Sequence, residues 1–185
     1  MVRAWNLRVA VVTVMMVFGS GALAQIAGNS QSGNGDGLTP PGTLSFSEEK
    51  GLPQMREEEK LAGDVYLFLY DRRPQPIFLN IANSEQRHKD AVLNLLNQYG
   101  FDDPASGLGE GEFDDPALQD LYAQLTESGK LSLADALKVV ATVEDLDIYD
   151  LRLLLAETGH QHITRVYLNL SKGYRNHLRS FVRQL

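Results

Sequence analysis

The chain has 185 residues, 43% of them apolar and 22% charged, which suits one domain with a buried core. Its formal net charge of -7 argues against a nucleic-acid partner, because binding to phosphates requires a surplus of Lys and Arg. Cysteine is absent, which excludes disulfides, iron–sulfur clusters and a cysteine nucleophile, so any metal must be bound by oxygen and imidazole nitrogen.

The first 24 residues are predicted to be a secretory signal peptide. Arg3 and Arg8 precede an apolar run over residues 9–18, and small residues follow up to Ala24. A membrane anchor is the alternative, but a run of about ten residues is too short to cross a bilayer of ~30 Å. We therefore expect cleavage after Ala24, no membrane association afterwards, and a periplasmic or secreted protein.

Residues 25–43 are predicted to form a flexible linker, since they are rich in Gly, Ser, Asn and Pro and have few apolar side chains. The folded domain is expected to cover residues 44–185. The sequence leaves the choice between a monomer and a homodimer open.

Apolar residues of this domain recur at helical spacing, which predicts an all-α fold. Four long helices are expected, at about Ser47–Tyr70, Ile77–Tyr99, Ser132–Glu157 and Gln161–Arg183. Pro53 leaves the start of the first helix open by one turn, and Gly100 is a suitable stop for the second. The long connection between the second and third helices carries a short helix at about Pro116–Glu127. Two tight helical hairpins joined by one long crossover are typical of a ferritin-like antiparallel four-helix bundle.

Polar residues interrupt the apolar faces of these helices. At 100° per residue, Glu85 and His88 lie within about 40° of Ile81 on the second helix. On the third helix, Glu144 and Asp147 lie equally close to Val140. Acids and a histidine therefore point toward the axis of the predicted bundle.

The first and fourth helices show the same pattern. On the fourth, His177 lies between the apolar positions Leu170 and Val166. On the first, Glu59 lies beside Tyr66, with Glu58 as the alternative within the same charge run. His160 and His162 fall in a turn, where solvated histidines are expected.

Buried together, these residues require neutralisation. The candidate ligands are Glu59, Glu85, His88, Glu144, Asp147 and His177. Four neighbouring buried carboxylates repel one another, whereas two divalent cations neutralise them. Carboxylate oxygens with two imidazoles suit iron or manganese, and zinc remains a further candidate. The alternatives are a hydrogen-bonded core histidine for His88, a solvated face for Glu59, and an exposed acidic turn for Glu144 and Asp147.

The pattern resembles the ferritin-like superfamily, in which two helices each carry one Glu and two carry Glu-x-x-His. Glu59, Glu85 with His88, Glu144 and His177 match that pattern. More closely, residues 55–62, 84–88, 144–148 and 175–181 resemble the domain-of-unknown-function family 2202 over nearly all of residues 48–185. The resemblance implies the bundle and a rubrerythrin-like pair of metal ions, but it supplies no activity.

One position departs from the superfamily pattern. Tyr174 occupies the place, three residues before His177, where the fourth helix should carry a Glu. Rubrerythrin-like proteins carry a second acid on the third helix, so Asp147 is predicted to supply the missing carboxylate. For Tyr174 itself, an ordinary packed aromatic is favoured over a residue that hydrogen-bonds a ligand or is oxidised.

Three functions remain open on the sequence. A pair of iron ions held by carboxylates reacts with oxygen or peroxide, which favours a ferroxidase or a peroxide-reducing oxidoreductase outside the cytoplasm. A non-enzymatic protein that sequesters iron and a metal-free structural bundle are the alternatives. The sequence does not decide between an enzyme and a metal carrier.

Overall fold

The computed structural model describes residues 42–184, so the predicted signal peptide and nearly all of the predicted linker lie outside the described residues. This part of the chain has five α-helices and no strand. The helices are α1 (Phe46–Arg72), α2 (Pro76–Tyr99), α3 (Pro116–Gly129), α4 (Leu133–Glu157) and α5 (Gln161–Val182). None of them is both long and apolar enough to cross a membrane. The all-α prediction is confirmed.

The four long helices form a bundle in which α1 pairs with α2 and α4 pairs with α5. Short turns join the members of each pair, and the pairs meet through contacts of α1 with α4 and of α2 with α5. Helices α1 and α5 therefore occupy diagonal corners. Helix α3, carried by the long crossover, packs against α1 and α4. The predicted crossover with its short helix is confirmed.

Two apolar layers fill the bundle. At the end where α1 begins, buried side chains from all four long helices form one cluster: Leu52, Met55, Val92, Leu95, Leu96, Leu151, Ile163, Tyr167, Leu170 and Tyr174. Toward the other end, Phe181 contacts Tyr66 edge-on at 5.7 Å between ring centroids and lies 6.3 Å from Phe78. Burial of these side chains supplies the main favourable free energy of folding. The polar residues described below lie between the two layers.

The crossover is attached to the outer side of α1 by charged groups. Arg56 makes two hydrogen bonds with Asp103, at 3.0 and 2.9 Å. One turn further along α1, Lys60 donates to the carbonyl oxygen of Gly109 at 2.7 Å. After another turn, Asp64 accepts a hydrogen bond from the backbone N–H of Gly111 at 2.9 Å. These bonds hold the glycine-rich segment against α1.

The start of α1 differs from the sequence prediction. Its N-cap is Ser45 rather than Ser47, and Ser45 and Glu48 form a complete capping box. Pro53 lies inside the helix without ending it. At Gly100 the backbone has φ of 76°, which favours glycine, and α2 stops there as predicted.

A second difference concerns His160, which is not simply solvated as predicted. Glu48 of α1 accepts hydrogen bonds from the backbone N–H groups of Gly159 and His160, at 2.9 and 3.0 Å, and lies 2.9 Å from His160 Nδ1. The Glu48 carboxylate therefore satisfies free N–H groups at the start of α5 while also capping α1. His162 is exposed and contacts Gln98.

We expect Glu48→Gln to lower the free energy of unfolding at pH 7 by about 1–3 kcal/mol, because charge-assisted hydrogen bonds are lost at two helix starts. Burial acts to raise the pKa of Glu48, but hydrogen bonds from Ser45, His160 and Gly159 outweigh it and lower the pKa to about 2 from 4.5. A lowered pKa stabilises the fold above the unfolded value, and that stabilisation is lost as pH falls toward 2.

Urea unfolding of both proteins between pH 7 and 2 measures this effect. The difference between native protein and variant should shrink as pH falls below about 4.5. The exposed neighbour provides the control, since Glu49→Gln should leave stability nearly unchanged. A constant difference across the pH range would contradict the assignment of the effect to the Glu48 charge.

Candidate metal centre

Side chains from all four long helices meet between the two apolar layers. Helix α1 contributes Glu59, α2 contributes Glu85 and His88, α4 contributes Glu144, and α5 contributes His177. Glu59 is 1% exposed, Glu85 and Glu144 are fully buried, and His177 is 8% exposed. The sequence prediction that these five residues face a common interior region agrees with their positions.

The five residues form two overlapping triads. Glu59, Glu85 and His88 make one triad, and Glu85, Glu144 and His177 make the other. Within each triad, one potential ligand atom of every residue lies within 4.8 Å of the others. Glu85 is the residue that the two triads share.

The two oxygens of Glu85 face different triads. Its Oε2 lies 2.7 Å from His88 Nδ1, which is 3.4 Å from Glu59 Oε2. Its Oε1 lies 2.8 Å from His177 Nδ1, which is 3.3 Å from Glu144 Oε1. The two imidazole rings stack with centroids 5.4 Å apart. One carboxylate therefore stands between two imidazole–carboxylate pairs.

Several atoms of this cluster that could ligate a metal are buried without a hydrogen-bond partner. They are Glu59 Oε2 and Glu144 Oε2, together with Glu85 Oε1 and His177 Nδ1, which lie 2.8 Å apart but outside hydrogen-bond geometry. Each such atom costs about 1–3 kcal/mol when nothing satisfies it. Oxygen and imidazole nitrogen are the ligand atoms that iron, manganese and zinc use in proteins without thiolates. The residues therefore fit a metal-binding role by their chemistry and by their unsatisfied atoms.

The electrostatics of the cluster show that its carboxylates need positive charge or protons. Burial raises the pKa of Glu59 to about 8 and that of Glu144 to about 7, and the charge of Glu85 adds to both shifts. Burial acts to raise the pKa of Glu85 too, but the adjacent imidazoles of His177 and His88 lower it to about 2.

The histidines shift in the complementary direction. Burial acts to lower their pKa, but the nearby carboxylates raise the pKa of His88 to about 10 and that of His177 to about 9. Protons on imidazoles and carboxyl groups thus balance the charge of the cluster. Metal cations compete with those protons for the same atoms.

Two buried tyrosines orient the outer carboxylates. The hydroxyl group of Tyr174 donates a hydrogen bond to Glu59, and that of Tyr66 donates to Glu144 Oε1 at 2.8 Å. Of the roles considered for Tyr174, the structure shows the hydrogen bond to a candidate ligand in addition to packing.

Asp147 and Glu58 lie outside both triads. Asp147 is buried close to them, and burial together with the charges of Glu144, Glu58 and Glu59 raises its pKa well above the ordinary value. Glu58 accepts a hydrogen bond from Gln54 at 2.8 Å and lies near Asp150. Of the two alternatives on α1, Glu59 is therefore the residue that joins the cluster.

Gly173 on α5 is the residue of this region that sequence reasoning missed. A Cβ atom at this position would come within 2.6 Å of Cε1 and Nε2 of His88. The His88 ring therefore occupies the space that any side chain at position 173 would need. A glycine inside a long amphipathic helix is the sequence signal for such a close approach.

We expect Gly173→Ala to lower the free energy of unfolding by about 1–3 kcal/mol, because the new methyl group overlaps the His88 ring. At an ordinary helical site the same substitution stabilises by about 0.5–1 kcal/mol. Urea denaturation measures the change. The matched test repeats the substitution in the His88→Ala background, where Gly173→Ala should become stabilising. Equal effects in both backgrounds would contradict the proposed overlap.

Comparison with known proteins places residues 48–185 in DUF2202, described as an uncharacterized protein domain. The chain is 51% identical over 146 residues, 79% of each sequence, to uncharacterized protein MJ0754 of Methanocaldococcus jannaschii. It is also similar to the crystal structure of hypothetical protein MJ0754 from Methanococcus jannaschii DSM 2661. That match has a TM-score of 0.78 and 50% identity, and it covers 80% of this chain and 85% of that one. The chain belongs to the DUF2202 family.

Proposed function

We propose that this protein is an exported, ferritin-like di-metal carboxylate protein whose centre binds two iron ions and reacts with oxygen or peroxide. The observation that carries the proposal is Glu85, whose two oxygens face two separate triads containing buried donor atoms without hydrogen-bond partners. Manganese and zinc are the alternatives for the metal, since both accept oxygen and imidazole ligands.

The arrangement of the helices supports the ferritin-like assignment. Two helical hairpins joined by one long crossover bring ligand-type residues from all four long helices to the middle of the bundle. Ferritin-like proteins build their di-metal sites in that way. Position 174 still departs from the superfamily pattern. It carries a tyrosine in place of a glutamate, and the tyrosine hydroxyl donates a hydrogen bond to Glu59.

The residues of the cluster have separable roles in this proposal. Glu59 and His88 would hold one ion, Glu144 and His177 would hold the other, and Glu85 would serve both. With ferrous iron at both positions, the site would provide the electrons that reduce an oxidant such as oxygen or peroxide. Tyr174 and Tyr66 fix the orientation of Glu59 and Glu144. Apolar side chains pack above and below the cluster, and its three glutamates are almost fully buried.

Metal analysis with optical spectroscopy tests the function. The purified protein is loaded with ferrous iron without oxygen, and spectra are recorded before and after addition of oxygen or peroxide. Two irons per chain and a spectrum that changes with oxidant and returns on reduction support an oxidoreductase. Bound iron that never cycles indicates sequestration instead. A protein that binds no metal, and whose thermal stability does not change when metal is added, would be a structural bundle. That result would refute the proposal.

Export is tested separately on the protein isolated from cells. Intact mass and N-terminal sequencing should show a chain that begins at Gln25, in an extracytoplasmic fraction. A full-length chain that retains residues 1–24 in the cytoplasm would contradict export while leaving the metal proposal standing.

Substitution of the shared glutamate should affect both ions. We expect Glu85→Gln to remove nearly all bound iron, whereas Glu59→Gln and Glu144→Gln should each leave about one ion per chain, since each triad loses one charged ligand. Iron per chain is measured by elemental analysis after removal of free metal. Glu57→Gln is the matched control from the same acidic run and should retain both ions. Equal losses in the Glu59, Glu85 and Glu144 variants would contradict a shared ligand.

Asp147 has its own test. If it supplies the carboxylate missing from α5, Asp147→Asn should reduce the iron content from two ions to about one per chain. The structure places Asp147 beside the triads without including it in either. Retention of both ions with native affinity would show that the compensation hypothesis is wrong.

A further inference from the structure

Charge is distributed very unevenly along the second half of this chain. Residues 90–129 contain nine Asp and Glu and no Lys or Arg. Residues 158–185 contain five Lys and Arg and no Asp or Glu. The first segment includes the crossover and α3, and the second includes α5. Two segments of opposite sign thus stand within a chain whose net charge is -7.

The cations of the second segment form one exposed stripe, which we call the basic face. It consists of Arg165, Lys172, Arg175, Arg179 and Arg183. At 100° per residue they fall within an arc of about 80°, opposite the buried face of α5. Leu168, 56% exposed, lies in the same arc. No ion pair involves these five residues within the described part of the chain.

The helix dipole explains only part of this stripe. Cations in the last turn of a helix are stabilised by the negative end of its dipole, which accounts for Arg179 and Arg183. That effect falls off within one turn, so it does not account for Arg165 and Lys172, which lie more than two turns before the end of α5. A row of five unpaired cations therefore calls for a partner with negative charge.

The crossover and α3 carry the complementary surface, which we call the acidic face. Glu110, Asp114 and Asp120 are exposed and form no ion pair within residues 42–184. Like charges crowd one another here. Burial raises the pKa of Glu57, and the charges of Asp115 and Asp114 raise it further. A cationic surface placed over this region would relieve that repulsion.

The two faces lie on opposite sides of the bundle. The acidic face is attached to α1 through the bonds of Arg56, Lys60 and Asp64 described above. The basic face belongs to α5, which occupies the corner diagonal to α1. A single copy therefore cannot bring its own two faces together.

We propose that the protein self-associates head to tail, with the basic face of one copy bound to the acidic face of the next. A two-fold dimer through either face alone would place like charges together, which disfavours it. Contacts between two different faces are heterologous, so they extend the assembly to a ring or to an open filament. Leu168 supplies an apolar contact within the charged interface.

Sedimentation velocity at increasing salt tests this proposal on the purified protein. We expect species larger than a dimer at low ionic strength. At about 1 M salt we expect monomers, because attraction between charges is then screened beyond ~3 Å. The variant Arg175→Glu/Arg179→Glu should weaken association at least about tenfold, which corresponds to about 1.4 kcal/mol. A native protein that stays monomeric at low salt would overturn the proposal.

A charge exchange tests the pairing of the two faces. The variant Asp114→Lys/Asp120→Lys makes the acidic face basic, and like Arg175→Glu/Arg179→Glu it should associate more weakly than the native protein when alone. Mixing the two variants should restore association as a 1:1 complex, because the unaltered acidic face of one variant can bind the unaltered basic face of the other. No recovery in the mixture would refute the pairing.

A charge-matched variant on α4 tests whether the effect belongs to the basic face or to net charge alone. Lys138→Glu/Arg152→Glu adds the same negative charge at exposed positions of α4 and should associate as the native protein does. Circular dichroism checks that every variant remains folded. Binding of the native monomer to vesicles of anionic phospholipid, with no self-association, would overturn the proposal and assign the basic face to a membrane instead.

Discussion

The main physical constraint on this structure is that acidic side chains are buried in the middle of a small helical bundle. Glu59, Glu85 and Glu144 lie where water cannot solvate their charge, between two layers of apolar side chains. Ionised carboxylates in such a place repel one another and lose hydration, so they must receive protons, imidazoles or metal cations. Because the acids come from different helices, whatever neutralises them also joins those helices.

The same constraint organises the residues around the cluster. Tyr66 and Tyr174 direct their hydroxyl groups inward to hydrogen-bond a carboxylate, although aromatic residues at those positions could have packed without any polar contact. His88 and His177 stack beside Glu85 and make it the most acidic group of the cluster. The polar middle layer therefore specifies which faces of the helices turn inward, as well as holding the donor atoms themselves.

Helical periodicity predicted the fold well because apolar spacing encodes the buried face directly. It placed five helices near their observed bounds, and it pointed Glu59, Glu85, His88, Glu144 and His177 at one interior region. It did not identify Ser45 as the N-cap of α1, although Ser45 with Glu48 fits the local capping-box pattern and Ser47 with Lys50 does not.

Specific contacts between distant segments outside the cluster were not predicted from the sequence. The bond from Glu48 to the start of α5 spans more than 100 residues, and the approach of Gly173 to His88 joins two helices whose relative depth no spacing rule supplies. The position of Asp147 illustrates the same limit. An angle on a helical wheel places a side chain on the correct face, but it does not tell whether the carboxylate reaches its neighbours or stops short of them.

The contact between Gly173 and His88 has a consequence for the history of the sequence. Because the imidazole fills the volume of a missing side chain, position 173 cannot accept a larger residue without a clash while the ring remains. A lineage that replaced Gly173 with a larger residue would have to replace His88 with a smaller residue first or at the same time. Among relatives with the same bundle, a side chain at one position should therefore appear only where the other position has become small.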